Sequence, residues 1–430
     1  MKISIYLFLI IVILGSVAVA QDKKDKIEIG VQSTSLTLFN PDFPFDETRP
    51  GVGGRVTYNF NRWMAAEAEI NFFPHKKRSF TDDSDSVQAQ FGVKLGKRFE
   101  KFGLFAKVRP GFLSVDDVFS VQPGASTVID DMVLLDAKIE RTNYFTIDAG
   151  GVLELYPDRR SVVRFEAGDT AIRYPTFFDF DFSGTTTSVK FIRSAKFTHN
   201  FQFTAGVAFR LGDFPAEEAD VKTSVDGPGR IPRFEVGVQF TSMSVAPVTT
   251  ARQCPACVSS DLTHTEPGFG GRFTVNLNEK IALEAEGNFF TREIRDLPNP
   301  SGFMFQAQFG PKIGKRYEKW GWFGKVRPGF IGFTKVNKLV DTFFQIRNLN
   351  IPALVGVFAV GKTVYPSVDI GGVVEIYISR RWMARFDIGD TIIRYGELPV
   401  EAFSARNPIF RRPPEIHQNL QISSGIGFRF

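Results

Sequence analysis

The sequence predicts an all-β fold, an antiparallel up-and-down meander closed into barrels, and three observations carry that prediction. Segments with two-residue alternation recur along the chain, tight turns alternate with long connections, and the whole pattern is written twice. The duplication is plain in the text. "PGVGGRVTYNFN" at 50–61 returns as "PGFGGRFTVNLN" at 267–278, and "QAQFGVKLGKRFEKFGLFAKVRPGF" at 88–112 returns as "QAQFGPKIGKRYEKWGWFGKVRPGF" at 306–330. "DAGGVLELYPDRRSVVRFEAGDTAIRY" at 148–174 returns as "DIGGVVEIYISRRWMARFDIGDTIIRY" at 369–395. A period of roughly 220 residues is far too long for a solenoid, so each copy is a whole domain.

The elements follow in chain order. Lys2 precedes the apolar run "ISIYLFLIIVILG", and Ala18-Val19-Ala20 supplies a small-residue cleavage site, so 1–20 reads as a signal peptide. No later stretch reaches the roughly 18 unbroken apolar residues of a transmembrane helix. The first copy, 21–212, shows alternating segments near 27–38, 50–60, 64–74, 87–99, 103–114, 144–156, 162–174 and 200–211. Connections at "NRW", "EKFG" and "PDRR" are tight, whereas 39–49, 75–86, 115–143 and 175–199 read as long loops. Within the last of these, "FFDFDFSGTTTSVKFIR" at 177–193 alternates around Ser183-Gly184 and predicts a hairpin. The polar, Pro/Gly-marked stretch 213–232 reads as a linker, and 233–430 repeats the order of the first copy. In the second copy, "DTFFQIRNLNIPALVGVFAVG" at 341–361 is unusually apolar for a loop and is expected to pack over the barrel mouth, with folding inward or contact with a lipid or partner as the alternatives.

Alternation also sorts the faces. Arg55, Thr57 and Asn59 oppose Val56, Tyr58 and Phe60; Glu67, Glu69 and Asn71 oppose Ala66, Ala68, Ile70 and Phe72; Gln88, Gln90 and Lys94 oppose Phe91, Val93 and Leu95. The polar face carries acids on some strands and bases on others in similar numbers, which suits an enclosed interior where buried ions must pair. The other face carries almost no charge, as lipid contact requires, because a charge at a bilayer midplane costs about 2–4 kcal/mol. Segments of ten or so residues fit a tilted crossing of the hydrocarbon, and closing the ring hides every strand edge. The barrel is therefore expected to be transmembrane, with a soluble sandwich or lipocalin-like barrel as the alternative.

Composition excludes other classes. At 43% hydrophobic residues the chain is not a polytopic helical membrane protein. Phenylalanine dominates the aromatics, 46 against 9 Tyr and 4 Trp, and 38 glycines suit tight turns and crowded interiors. The net charge of +5 comes from interleaved acids and bases rather than basic clusters, so nucleic acid is not an expected partner.

The leader, the meander and the last strand, "NLQISSGIGFRF" ending in Phe430, resemble the OmpA/OmpX-like family of eight-stranded outer-membrane barrels. The first copy ends on a near echo, "FQFTAGVAFRL". The resemblance implies the bacterial cell outer membrane with both termini periplasmic. It implies contact with outer-membrane lipid and lipopolysaccharide, and a surface ligand at the outer loops. It also implies insertion by the outer-membrane assembly machinery, which would read Phe428 and Phe430 as its signal. It brings no catalytic motif and no cofactor. Family members carry one small barrel, so the doubling leaves two architectures: two tandem eight-stranded barrels, or one sixteen-stranded barrel. The long same-side linker and the repeated closing strand favour the pair.

The charged residues are candidate lumen groups, as structural pairs or as a pore lining. In the first copy Glu67, Glu69 and Glu166 are expected to pair with Arg55, Lys94, Lys107, Arg109 and Arg164. In the second, Glu284, Glu286 and Asp387 are expected to pair with Arg272, Lys312, Lys325, Arg327 and Arg385. A plugged lumen moves function to the external loops, in adhesion, envelope integrity or surface recognition. A shared barrel would make a porin-like channel for small solutes instead. Cys254 and Cys257 in "CPAC" are expected to form a local disulfide, since the strand-to-helix setting of a redox pair is missing. His264 alone is too little to make a metal site with them. An outer-membrane enzyme with a rim site is the rival class. His75, His199, His264 and His417 fall at rims or loops, and Asp82, Asp83 and Asp85 lie near His75. No spacing of nucleophile, base and orienting group emerges, so no enzyme is expected.

Overall fold

The computed structural model describes residues 27–39, 46–74, 85–129, 132–181, 188–211, 232–245, 264–291, 302–346, 352–396, 398–400, 410–412 and 414–430. The signal peptide, the linker core at 212–231 and the "CPAC" segment lie outside the described residues. By internal contacts the chain divides into two compact units.

The first unit contains eight long strands: β1 (Ile27–Phe39), β2 (Asp46–Asn59), β3 (Met64–Phe73), β4 (Ser86–Arg98), β5 (Phe102–Ile129), β6 (Met132–Leu155), β7 (Ser161–Tyr174) and β8 (Lys196–Leu211). Each pairs antiparallel with its neighbour in sequence, and β8 returns to β1 from Ile27↔Leu211 to Leu36↔Gln202. The ring is closed, and the edges left unpaired in it are those of the β5–β6 ribbon beyond Val115 and Phe145, where the two strands pair only with each other.

The second unit repeats this with β9 (Phe234–Val245), β10 (His264–Asn276), β11 (Ile281–Phe290), β12 (Met304–Arg316), β13 (Trp320–Ile346), β14 (Pro352–Tyr377), β15 (Trp382–Tyr395) and β16 (Leu420–Arg429). Here β16 pairs with β9, from Glu235↔Arg429 to Met243↔Gln421. Among the described residues β8 pairs with β7 and β1, and β9 with β10 and β16.

The tight turns are capped by their own side chains. Asn61 Oδ1 accepts from the amides of Trp63 and Met64 at 2.7 and 2.9 Å, and Asn278 Oδ1 accepts from Lys280 and Ile281 at 2.8 Å each. Asp158 caps Arg160 and Ser161 in the same way, with Ser379 in the equivalent place over Arg381 and Trp382. The chain ends of both units lie at this turn side: Arg210 N donates to Arg160 O, and Phe430 and Phe234 exchange backbone bonds of 2.9 and 3.1 Å.

Two segments expected to be loops are strand. The 115–143 connection is the outer part of a continuous β5–β6 ribbon, paired as far as Ile129↔Met132. "Gln122-Pro123-Gly124" reads as a turn in isolation, but it falls in a register shift between Val121 and Ser126 that absorbs it without ending the ladder. Likewise β13 and β14 continue into 341–361, paired as far as Ile346↔Pro352, with shifts at Phe333/Val336 and Leu339/Asp341. The hairpin expected at 177–193 is present, as Phe177–Asp181 paired with Ser188–Arg193. In the second unit, the short strands Leu398–Val400 and Phe410–Arg412 pair between β15 and β16, and Glu415–His417 pairs with the end of β15.

The expected facing holds. Val52, Phe91, Leu104 and Phe209 on the outward parity are exposed, as are Val238, Phe309, Ile313 and Ile388 in the second unit. Charged residues of the opposite parity are buried instead. Each interior holds the wide side chains because glycine stands across from them. A Cβ on Gly92 would lie 2.6 Å from the Arg109 Cα and 2.9 Å from its Cγ, and one on Gly310 would lie 2.8 Å from the Arg327 Cα.

Candidate functional site

The interior of the first barrel is built in three tiers. Nearest the turns, Glu28 accepts from Arg210 Nε at 3.0 Å and from Asn59 at 3.0 Å, with Arg98 at 3.5 Å. Arg210 lies over the Tyr156 ring, whose hydroxyl donates to Glu154 at 2.9 Å.

Above this sits the dense charge layer. Arg164 on β7 reaches across the bore and clamps Glu67 on β3 with both terminal nitrogens, one at 2.7 Å. Arg109 is the hub: it meets Glu69 at 2.5 Å, Asp148 at 2.7 Å and Glu166 at 2.9 Å. Lys107 bridges Asp148 and Glu166 at 2.7 and 2.6 Å. Lys94 pairs with Glu154 and lies 3.3 Å from Glu67, and Arg55 lies 3.3 Å from Glu166. These groups are nearly inaccessible to solvent, so each needs its partners to offset desolvation.

An amide tier follows, in which Gln32, Asn71, Gln88 and Gln202 pass hydrogen bonds of 2.9–3.0 Å around the wall. Its Asn71 also donates to Glu69 at 2.6 Å, which ties the two tiers together. The outermost tier is apolar: Leu36, Phe73, Leu113 and Ile172 fill the bore. The arrangement is a plug in cross-section, with ions below, amides between and hydrocarbon above.

The second barrel repeats the tiers. Arg385 clamps Glu284, one contact being 2.7 Å, and Arg327 meets Glu284 at 2.6 Å, Asp369 at 2.5 Å and also Glu286. Lys312 meets Glu375 at 2.5 Å, and Lys325 meets Asp369 at 2.9 Å and Asp387 at 3.2 Å. The amide tier is Gln239, Asn288, Gln306 and Gln421. Its apolar tier is richer, with Met243, Phe290, Met304, Ile331, Phe333, Tyr365, Ile393 and Tyr395 in one cluster.

Both barrels gather the expected charged residues into one network each, with one correction. Arg272 pairs with no carboxylate among the described residues; its Nη1 donates to Gln239 at 3.0 Å, while Nε and Nη2 have no partner. Of the acids expected to pair with this set of bases, Asp387 is turned to Arg385 and Lys325. Further lumen acids join them: Asp148 and Glu154, on the polar face of the sixth strand, and Glu28, Glu235, Asp369 and Glu375, which were not among the expected pairs. Their parity was the signal that could have found them.

The remaining candidates are scattered. His75, Asp82, Asp83, Cys254 and Cys257 lie outside the described residues, as does the side chain of His264. His199 is exposed and pairs with Asp169 at 2.6 Å, and His417 pairs with Glu415 at 3.0 Å and packs edge-on to Tyr395. No group of three metal-ligating side chains occurs among the described residues. Phe428 packs edge-on against Trp382, and Phe430 is exposed at the turn-side rim.

A family model described as the outer membrane protein beta-barrel domain matches residues 7–209. That segment is an outer membrane β-barrel domain. The protein is thereby placed in the bacterial outer membrane, with lipid outside the barrel wall. Similar solved structures include the N-terminal β-barrel domain of Pseudomonas aeruginosa OprF, at 9% identity and a TM-score of 0.24, covering 43% of this chain and 98% of that one. Neisserial surface protein A matches at 9% identity and 0.25, over 46% and 97%. Ail, the attachment invasion locus protein of Yersinia pestis, in complex with a heparin analogue, matches at 10% and 0.25, over 43% and 98%. At these scores no residue role passes from them to this barrel protein. No curated relative matches the chain.

Proposed function

We propose that this outer membrane β-barrel protein has a structural and surface-interaction role, in adhesion or envelope integrity, carried by its outer hairpins rather than by a channel. The observation behind the reading is the bore-spanning clamp of Arg164 on Glu67, with Arg385 on Glu284 in the second barrel, under an apolar tier. An eight-stranded bore is just wide enough to be filled by side chains, and these bores are filled. The β5 strand is 28 residues long against 10 in β3, and from its last pair with β4 at Val115 it runs on to Ile129, so the β5–β6 ribbon extends roughly 45 Å beyond its neighbours at about 3.3 Å a residue. Such a ribbon offers a long backbone-rich surface to a ligand outside the cell.

In this reading the protein has two barrels in tandem, joined by a periplasmic linker, with both termini periplasmic and the ribbons external. It is inserted by the outer-membrane assembly machinery through Phe428 and Phe430, meets lipopolysaccharide along its outer wall, and catalyses no reaction.

Planar-bilayer recording tests the plug. The purified chain is expected to give no stable large-conductance steps, and regular steps of porin size would reject the reading in favour of a passive channel. Proteolysis within 213–232 tests the tandem arrangement. Two fragments that each shift mobility on heating are expected; fragments that lose that shift together on cleavage would mean that neither barrel stands alone.

A further inference from the structure

We infer that the second barrel holds a small monovalent anion, a halide such as chloride, against the Nε and Nη2 edge of Arg272. The two barrels are near copies, and the comparison isolates the site. In the first, Arg55 Nη1 donates to Gln32 at 3.1 Å and to the Glu166 carboxylate at 3.3 Å. In the second, the equivalent Arg272 keeps the amide bond, to Gln239, and loses the carboxylate. The cause is one methylene. Position 387 is Asp where the first barrel has Glu166, a reach shorter by about 1.5 Å. Both oxygens of Asp387 are already engaged by Arg385, at 2.7 and 2.9 Å.

A second difference accompanies the first. Gly427 stands where the first barrel has Ala208, and a Cβ there would lie 3.5 Å from Arg272 Nη2. A Cβ on Gly237 would lie 3.0 Å from its Nε. The unpartnered edge of the guanidinium therefore lies against two glycines, with the Met383 side chain, where the first barrel has Val162, reaching to 2.7 Å from the point a Gly427 Cβ would take. Arg272 is 4% exposed, so bulk water does not solvate it; the carboxylates of Asp387, Glu284 and Glu286 act on it from nearby, but none accepts from Nε or Nη2, and buried donors left without an acceptor are costly. Nε and Nη2 form the parallel donor pair with which arginine holds anions. A halide accepts from both donors at once, which the shortened Asp387 does not do, and it needs far less room than a carboxylate side chain.

The test uses the full chain, refolded and crystallised in sodium bromide. Anomalous scattering is expected beside Arg272 in the second barrel and not beside Arg55 in the first. In parallel, unfolding of the second barrel is expected to be about tenfold slower in saturating chloride than in gluconate at equal ionic strength. Asp387→Glu is expected to abolish that difference by restoring the carboxylate. A water without anomalous signal at Arg272 in bromide would overturn the inference. So would equal unfolding rates of the wild-type chain in the two salts. The bromide measurement needs no variant, so a failure of Asp387→Glu to fold leaves the proposal fully exposed to refutation.

Discussion

Arg109→Met is expected to destabilise the first barrel by about 3–5 kcal/mol, because the change strips a shared cation from three buried carboxylates at once. Glu69, Asp148 and Glu166 all lie within 3 Å of this guanidinium, and none of them can turn to water. Lys107 still bridges Asp148 and Glu166, but no other described ion pair reaches Glu69. Denaturant unfolding in lipid bilayers, with the heat-dependent mobility shift as readout, measures the loss. Arg327→Met is expected to act in the same way on the second barrel. An internal control is Arg141→Met: its pair with Asp116 is half exposed, and surface pairs contribute only about 0–1 kcal/mol. Equal small losses at Arg109 and Arg141 would mean that the lumen is wet and the network screened.

Phe91→Lys is expected to cost about 2–4 kcal/mol in a bilayer, the penalty for a lysine at the hydrocarbon midplane of a barrel wall. Phe91 sits near the middle of β4, points outward and is 65% exposed, with Val93 and Leu95 on the same side. On a water-facing sheet the same change would be nearly neutral, since surface substitutions rarely exceed about 0.5 kcal/mol. The sign and size of this one value therefore separate lipid from water as the neighbour of the outer face. Phe309→Lys asks the same question of the second barrel.

Facing was the most legible property, because a period of two leaves no ambiguity once one residue of a strand is placed. From Glu67, Glu69 and Asn71 alone, the alternation assigns Ile70 and Phe72 to lipid, and the structure agrees in its burial of the acids. Partner choice was less legible. Arg164 clamps Glu67 four strands away, and such pairing depends on the stagger of the ring, which alternation does not encode. The β5–β6 ribbon was hidden by Pro123 and Gly124, which mark a turn in sequence but a register shift in the ladder. The apolar tier was overlooked for a simpler reason. Leu36 and Leu38 share the parity of Glu28 and Thr34, but they fall in "SLTLF", where grease on an inward position looks like the end of the alternation.

The clamp from β7 to β3 also bears on how such a barrel enters a membrane. Its two halves belong to strands that meet only through the finished circle, so a partly curled intermediate would present Arg164 and Glu67 to acyl chains with neither satisfied. Intermediates of that kind are penalised from both sides, and assembly tends toward a single concerted step. A wall cross-linked through its own lumen resists standing half open.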